Sequence, residues 1–130
     1  MPMQVELVSP ERILFSGEAD MVICRTAGGG DIAFLTGHAP FLGALAIHSV
    51  RIKQPDGNEE VAAVHGGFVH VRDNTVIILS DEALLPADID PQQAMHDRDE
   101  AERRLMAVHD VEVEAELAWA HARLTASCNA

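Results

Sequence analysis

The sequence changes its pattern once, near Asp88, and this change constrains the fold more than any other feature. Before it, short runs of alternating apolar and polar residues are separated by glycine, proline, asparagine and aspartate, which is typical of β-strands joined by tight turns. After it, apolar residues recur every three or four positions, which is the period of an amphipathic helix. The sequence therefore predicts a mostly β N-terminal sandwich or flattened barrel over residues 1–87, followed by a two-helix antiparallel hairpin over residues 88–130.

Several runs in the first part have the length and apolar content of strands. The nearly continuous apolar run 41–47 predicts either burial on both faces or a strand that passes from one sheet to the other. Pro55 and Gly57 predict a hairpin turn, and Gly66 and Gly67 predict a bulge or a close backbone contact within a strand. The predicted strands cover residues 5–7, 21–25, 32–36, 41–47, 50–53, 69–72 and 75–79.

The second part begins with the pattern of a helix N-terminus. Asp90 can act as the cap, Pro91 stands at the first helical position, and the side chain of Gln93 can reach back to the cap. A first helix is therefore predicted over residues 91–108. Its apolar stripe consists of Ala94, Ala101, Leu105 and Val108.

A second helix is predicted over residues 111–124, because Asp110 can cap it and acidic residues fill its first turn. The connection to the first helix is so short that the two helices must run antiparallel. Both stripes are rich in alanine, which buries little apolar area, so we expect the hairpin to depend on docking against the sandwich or a partner. The stripe of the second helix consists of Val111, Ala115, Ala118 and Ala122.

Composition and charge exclude several classes of function. A formal net charge of -12 over 130 residues would repel nucleic-acid phosphates, so no nucleic-acid partner is expected. No apolar run approaches the roughly 20 residues that span a bilayer, so no direct membrane insertion is expected. His65 and His70 lack a cysteine or carboxylate at ligand spacing, and no metal-binding or nucleophile motif occurs. The sequence therefore predicts no metal, no cofactor, no catalytic residue and no enzymatic activity of its own.

A rigid loop is predicted between two of the strands. Three glycines at 28–30 free the backbone for positive φ, and Pro40, which ends a Gly-His-Ala-Pro sequence, removes a backbone donor. Two interpretations of Asp31 and His38 follow. Either Asp31 ends a turn by accepting backbone hydrogen bonds and His38 fills the loop, or both side chains contact a partner protein.

Residues 28–42 resemble the epsilon subunit of bacterial F-type ATP synthases, in which an acidic residue, a short apolar strand and Gly-His-Ala-Pro occur in this order. The resemblance covers most of the chain. It implies a non-catalytic central-stalk (rotor) subunit that couples ion-driven rotation to ATP synthesis, with a helical tail that acts as a brake on ATP hydrolysis. Further matching blocks, in the family's order and spacing, are residues 8–11, 15–19, 64–71, 74–81 and 88–90.

The resemblance also implies partners and a location. The partners would be the gamma subunit and the membrane rotor ring of the synthase and, transiently through the tail, the alpha/beta catalytic head. The protein would be peripheral, at the cytoplasmic face of the plasma membrane. Asp31 and His38 would face the rotor ring and the foot of the gamma subunit.

Three arginines of the first predicted helix, Arg98, Arg103 and Arg104, are candidates for engaging an acidic partner surface. The alternative is pairing within the helix at the favourable four-residue spacing, Asp99 with Arg103 and Glu100 with Arg104. The sequence leaves both interpretations open.

Many members of the resembled family bind ATP between the two tail helices, through a motif that begins Ile-Asp and ends Arg-Ala. Residues 89–94 match this motif and keep Asp90, but Gln93 replaces the arginine and cannot form a charge-assisted contact to phosphate. Asp90 and Arg123 are the nucleotide-contact candidates that remain, and ATP binding is expected to be weak or absent. Trp119, the single tryptophan, either packs in the hairpin core or anchors a partner.

Two other classes of protein stay open at this point. A free-standing β-sandwich adaptor would use the same architecture to bind an unrelated protein partner. A small-molecule-binding β-domain would hold a ligand, and a ligand-dependent shift in melting would reveal it. Recovery of alpha, beta and gamma subunits from native membranes separates a synthase subunit from the adaptor.

Overall fold

The computed structural model describes residues 2–128, apart from the side chain of Cys128, and consists of eight strands followed by two helices. A single 3-10 turn, Pro86–Asp88, joins the two parts. The strands are β1 (Met3–Val8), β2 (Ile13–Ala19), β3 (Met21–Arg25), β4 (Asp31–Leu35), β5 (Phe41–Lys53), β6 (Glu59–Arg72), β7 (Thr75–Leu79) and β8 (Ala83–Leu84), and the helices are α1 (Pro91–Ala107) and α2 (Val111–Cys128).

The strands form one hydrogen-bonded path in the order β2-β1-β7-β6-β5-β3-β4, with β8 paired to β6. All pairs are antiparallel except β1 with β7. Residues from both end strands of this path, Ala19 of β2 and Phe34 of β4, belong to the same buried cluster. The path therefore folds over on itself into a sandwich, as the sequence predicts. The largest fully buried side chains are those of Phe34, Met3, Leu7, Ile52 and Ile78.

The two long strands β5 and β6 run through both halves of the sandwich. The predicted strands 41–47 and 50–53 are one continuous strand, so the apolar run marks a strand passing from one half to the other. In β6 the residues that face the core are Ala62 and Val64 before the glycine pair, but Val69 and Val71 after it. Such a change of parity requires a local break in the regular strand conformation, because side chains alternate strictly along a regular strand.

Gly66 and Gly67, with φ values of +75° and +121°, form the irregular backbone where this change occurs. Leu45 lies opposite Gly67 and Ile47 lies opposite His65, so the register of β5 with β6 is the same on both sides of this point and neither strand contains an extra residue. Gly67 has φ +121°, and a Cβ placed on it would lie 2.0 Å from the carbonyl oxygen of Leu79. Of the two predicted alternatives, the close backbone contact is therefore present and the bulge is not, and only glycine fits at this position.

Both helices lie close to their predicted bounds. Helix α1 ends at Ala107, because Val108 has the extended conformation (φ -140°, ψ 128°), and α2 continues four residues beyond the predicted end. Asp90 caps α1 by accepting from the backbone N–H groups of Gln92 at 3.0 Å and Gln93 at 3.3 Å. The predicted return of the Gln93 side chain to the cap is wrong. Its Nε2 donates instead to Asp97 Oδ1 at 2.9 Å, one turn further along the helix.

The buried faces of the helices differ in part from the predicted stripes. Ala94 and Ala101 of α1 are buried as predicted, but Val108 and Val111 are exposed at the tip of the hairpin. In α2 the buried residues do not form one stripe, since this helix packs against α1 on one side and against β5 and β6 on the other. The buried residues of α2 are Val113, Ala120, Ala122 and Ala126.

The tail covers one outer face of the sandwich. Val61 and Ala63, on the outer side of the first half of β6, pack with Ile89, Ala122 and Ala126 in a second buried cluster. An ion pair between Arg12 and Asp88 also ties the β1–β2 turn to the start of the tail. The hydrogen bond from the Arg12 guanidinium lowers the pKa of Asp88. The division of the chain into two domains, residues 1–87 and 88–130, stays a prediction. Ile89 of the tail lies in the same buried cluster as Val61 and Ala63 of the sandwich, so the two parts share a packed interface.

Candidate interaction surfaces

Asp31 lies at the start of the edge strand β4 and pairs with the opposite residue of β3. The Nε of Arg25 donates to Asp31 Oδ1 at 2.9 Å, and Nη2 donates to Oδ2 at 3.5 Å. The hydrogen bond from Arg25 lowers the pKa of Asp31, against the opposing effect of desolvation. The adjacent glycine turn is closed by Thr26 and Gly30, whose backbone N–H and C=O bond at 2.9 Å. Asp31 is therefore an exposed, charge-paired residue in this fold.

His38 lies beyond the other end of β4 and is half-buried. Its backbone N–H donates to the carbonyl oxygen of Leu35 at 3.0 Å, and its Nδ1 lies 2.7 Å from the carbonyl oxygen of Ala39. The imidazole edge packs on the Phe34 ring, with 4.9 Å between ring centroids. The neighbouring Gly37 donates its N–H to Asn74 Oδ1 at 3.0 Å. These contacts hold the loop after β4 in one conformation, as expected from Gly37 and Pro40 on either side of His38.

The structure does not bring Asp31 and His38 together. They occupy opposite ends of a five-residue strand, which at about 3.3 Å per residue separates the ends by roughly 13 Å. Only a partner that runs along the β4 edge would touch both residues.

Sequence reasoning missed an exposed apolar surface on the outer side of the sandwich that the tail leaves uncovered. The register places five residues from neighbouring strands side by side, and we call them the apolar row. Beside it lies a cavity of about 270 Å³ between β1, β6 and β7. The apolar row consists of Ala44, Phe68, Leu79, Val8 and Ile13.

The large side chains of this surface are mostly exposed. The exposed fraction is 57% for Phe68, 51% for Leu79, 61% for Ile13 and 71% for the neighbouring Leu42. Only the exposure of Phe68 could have been recognised from the sequence, because Phe68 alternates with Val69, which faces the core. The row as a whole depends on the parallel pairing of β1 with β7, which joins residues about seventy positions apart and leaves no local pattern.

The three candidate arginines of α1 are all paired with carboxylates in the folded tail. Arg103 pairs with Glu100, and Arg104 Nη1 lies 2.8 Å from Oε2 of Glu116 on α2. The predicted pairs of Asp99 with Arg103 and of Glu100 with Arg104 are therefore wrong in their partners. Arg98 lies 3.0 Å from Asp99 and 3.9 Å from Glu102. All three guanidinium groups remain at the surface.

The nucleotide-contact candidates are engaged within the chain. Asp90 caps α1, and Arg123 Nη2 donates to Asp97 Oδ2 at 3.0 Å. Burial raises the pKa of Asp97, but the hydrogen bonds from Gln93 and Arg123 outweigh it, so the pKa lies below its usual range. A small cavity of about 210 Å³ lies here, lined by Asp97, Trp119, Arg123 and a second carboxylate, Glu116. Such a site offers little attraction to a triphosphate.

Trp119 packs against the sandwich. It lies beside the cluster under the tail, and its ring centroid is 5.1 Å from that of His65 on β6. The Arg123 guanidinium carbon lies 5.6 Å from the Trp119 ring centroid on another side. Trp119 is therefore a packing residue in the folded tail, but it packs against the sandwich and not in the core of the hairpin as predicted.

Within residues 2–128, no group of three His, Cys, Asp or Glu side chains is placed to hold a metal ion. Burial raises the pKa of the Cys24 thiol to about 12, so it stays protonated inside the core. Among the described helices, none has the length and apolar character that crossing a bilayer requires.

Comparison with known proteins identifies the class of this molecule. The family model described as ATP synthase, Delta/Epsilon chain, beta-sandwich domain matches residues 2–86. The ATP synthase epsilon chain of Brevibacillus brevis is 45% identical over 103 residues, which are 79% of this chain and 77% of that protein. The epsilon chain of Bordetella avium is 36% identical over 129 residues, 96% of this chain and 91% of that protein, so the match extends through the tail.

Solved structures agree at the level of the fold. A chain in the cryo-EM structure of the Euglena gracilis mitochondrial ATP synthase (OSCP/F1/c-ring) superimposes with a TM-score of 0.77 at 23% identity, covering 95% of this chain and 79% of that one. A chain of the Tetrahymena thermophila central stalk and c-ring gives a TM-score of 0.55 at 14% identity, covering 98% and 97%.

The chain belongs to the ATP synthase delta/epsilon family. Within it, the curated relatives quoted above are epsilon chains, so this is a stalk subunit of an ATP synthase, and the free-standing adaptor is not favoured.

Proposed function

We propose that this chain is a non-catalytic rotor subunit that docks on the gamma subunit and the membrane rotor ring and so couples ion-driven rotation to ATP synthesis. The main support for this proposal is the exposed apolar row, with Leu42 beside it. Monomeric proteins rarely expose contiguous large apolar side chains, and such surfaces usually mark a protein interface. The opposite outer face is already covered by the chain's own tail.

We assign the apolar row to the gamma subunit and the β4 edge to the rotor ring. Phe68 and Leu79 are directly opposite each other on β6 and β7, so they form the centre of the row and can enter a partner surface together. Asp31 and His38, at the two ends of β4, would contact the ring or the adjacent foot of the gamma subunit.

The tail is assigned the role of a brake on ATP hydrolysis. Helix α1 carries Arg98, Arg103 and Arg104 at the surface, and these can exchange their present carboxylate partners for acidic groups of the alpha/beta head. The exchange is inexpensive because exposed ion pairs contribute only about 0–1 kcal/mol each. In this assignment the protein is peripheral, at the cytoplasmic face of the plasma membrane, and takes no cofactor.

The test is affinity capture from native membranes with the tagged full chain. The double variant Phe68→Gln/Leu79→Gln should recover about tenfold less alpha, beta and gamma subunit than the unchanged chain, because the centre of the interface is lost. The matched control is Met95→Gln/Met106→Gln, which replaces two exposed apolar residues of the tail and should leave recovery unchanged.

Equal recovery with the Phe68/Leu79 double variant would contradict the assignment of the apolar row. Capture of unrelated proteins in place of synthase subunits by the unchanged chain would contradict the proposed function itself.

A further inference from the structure

Helix α1 is held almost entirely by α2. Its two buried residues are Ala94 and Ala101, and its contacts with the sandwich are few. Alanine buries little apolar area, so the apolar contribution to this helix–helix contact is small at about 25 cal/mol per Å². The polar contacts between the helices therefore decide how firmly α1 is attached.

Three pairs of ionisable side chains cross between the helices, and they differ in burial. Arg104 with Glu116 (2.8 Å) and His121 with Glu102 (4.0 Å) are exposed on both sides. In the third pair, the exposed side-chain fraction is 14% for Arg123 and 37% for Asp97. Charges that are partly withdrawn from water interact more strongly and are screened less by salt than exposed ones.

Asp97 and Arg123, the third pair, each make a further hydrogen bond within their own helix. On α1, Gln93 Nε2 donates to the second oxygen of Asp97 at 2.9 Å. On α2, Arg123 Nε donates to the carbonyl oxygen of Trp119 at 3.3 Å, and the guanidinium lies against the indole ring. Trp119 in turn packs on His65 of β6. One connected set of contacts thus runs from α1 through α2 to the sandwich.

We propose that Asp97 and Arg123, supported by Gln93 and Trp119, form a latch that fastens α1 to α2 and sets the folded pose of the tail. Opening the latch frees α1 while α2 stays docked on Val61 and Ala63. A freed helix of 17 residues is marginally stable in water, so α1 loses its ordered structure when it separates. This inference concerns the chain alone and does not depend on the proposed partners.

Hydrogen exchange of the isolated full chain, followed by mass spectrometry of its peptides, tests the latch. Asp97→Ala should raise the exchange rate of the α1 amides about tenfold, because it leaves Arg123 partly buried and unpaired. Alanine has a higher helix propensity than aspartate, so faster exchange cannot come from a weaker intrinsic helix. The matched control is Glu116→Ala, which breaks the exposed pair with Arg104 and should change α1 exchange less than about twofold.

Peptides from α2 and β6 report whether the effect is local. The latch predicts that their exchange is unchanged in Asp97→Ala. An equal rise in α1, α2 and β6 would mean general destabilisation and would overturn the proposal, as would unchanged α1 exchange or equal effects of the two substitutions.

A second variant acts on the other side of the pair. Arg123→Met should loosen α1 to a similar extent, and the double variant Asp97→Ala/Arg123→Met should loosen it no more than either single change, since all three remove one contact. Effects that add in the double variant would contradict a shared latch.

Discussion

Asp31 and His38 are each held by contacts at their own end of β4, and neither is a buried core residue. Asp31 pairs with exposed Arg25, and His38 rests on the rim of the core against Phe34. We therefore propose that they act through contacts with other subunits.

In the double variant Asp31→Ala/His38→Ala, each substitution should change the free energy of unfolding by no more than about 0.5 kcal/mol, as is usual for surface changes. Ion-coupled ATP synthesis by the assembled enzyme should fall, because the β4 edge loses its polar contacts with the rotor. Thermal unfolding and ATP synthesis are the two measurements. A large loss of stability with normal coupling would reverse the assignment.

Gly67 is the residue whose identity the fold requires most strictly. Gly67→Ala should destabilise the chain by about 3 kcal/mol or more, because the added Cβ meets the Leu79 carbonyl oxygen and alanine does not favour φ +121°. Gly28→Ala is the matched control, since a Cβ there would lie 3.9 Å from its nearest neighbour, Thr26 Oγ1. Denaturant unfolding should separate the two variants, and equal stability would contradict the requirement.

At the scale of elements, both helices and most of the strands could be predicted because their signals are local, but β2, β8 and the first half of β6 are not among the predicted strands. Proline, glycine and aspartate mark the turns and the cap of α1, and alternation marks the strands. Three features could not be predicted, because each depends on residues that meet only in the fold. They are the parallel pairing of β1 with β7, the packing of α2 against both α1 and the sandwich, and the identity of the carboxylate that pairs with each arginine.

The two helices also explain why nucleotide sensing is not expected of this tail. ATP at millimolar concentration should give no binding heat in calorimetric titration, because Arg123 is paired with Asp97, Asp90 caps α1, and Gln93 bonds to Asp97. A triphosphate would have to displace Asp97 beside a second carboxylate, Glu116. Micromolar binding that disappears in Arg123→Ala would contradict this expectation.

At the scale of the whole molecule, the sandwich forms the structural core and the tail is attached to one of its outer faces. All eight strands lie before residue 87, and the main core cluster contains no residue of the tail. The tail contributes Ile89, Ala122 and Ala126 to a smaller cluster around Val61 and Ala63 of the sandwich.

A fragment of residues 1–87 should therefore fold by itself, with some loss of stability because Val61 and Ala63 become exposed. Far-ultraviolet circular dichroism should give a β spectrum and a cooperative thermal transition. An unfolded or aggregated fragment would contradict the division of the chain into a sandwich and an attached tail.

The central claim is that this chain transmits rotation in the stalk of an ATP synthase, and ion-driven ATP synthesis by the reconstituted enzyme tests it most directly. Synthase depleted of the chain is placed in vesicles, a transmembrane ion gradient is imposed, and synthesis is measured with no addition, with the full chain, and with Phe68→Gln/Leu79→Gln. We predict that the full chain restores synthesis and that the double variant does not. Equal synthesis with and without the chain would contradict the claim.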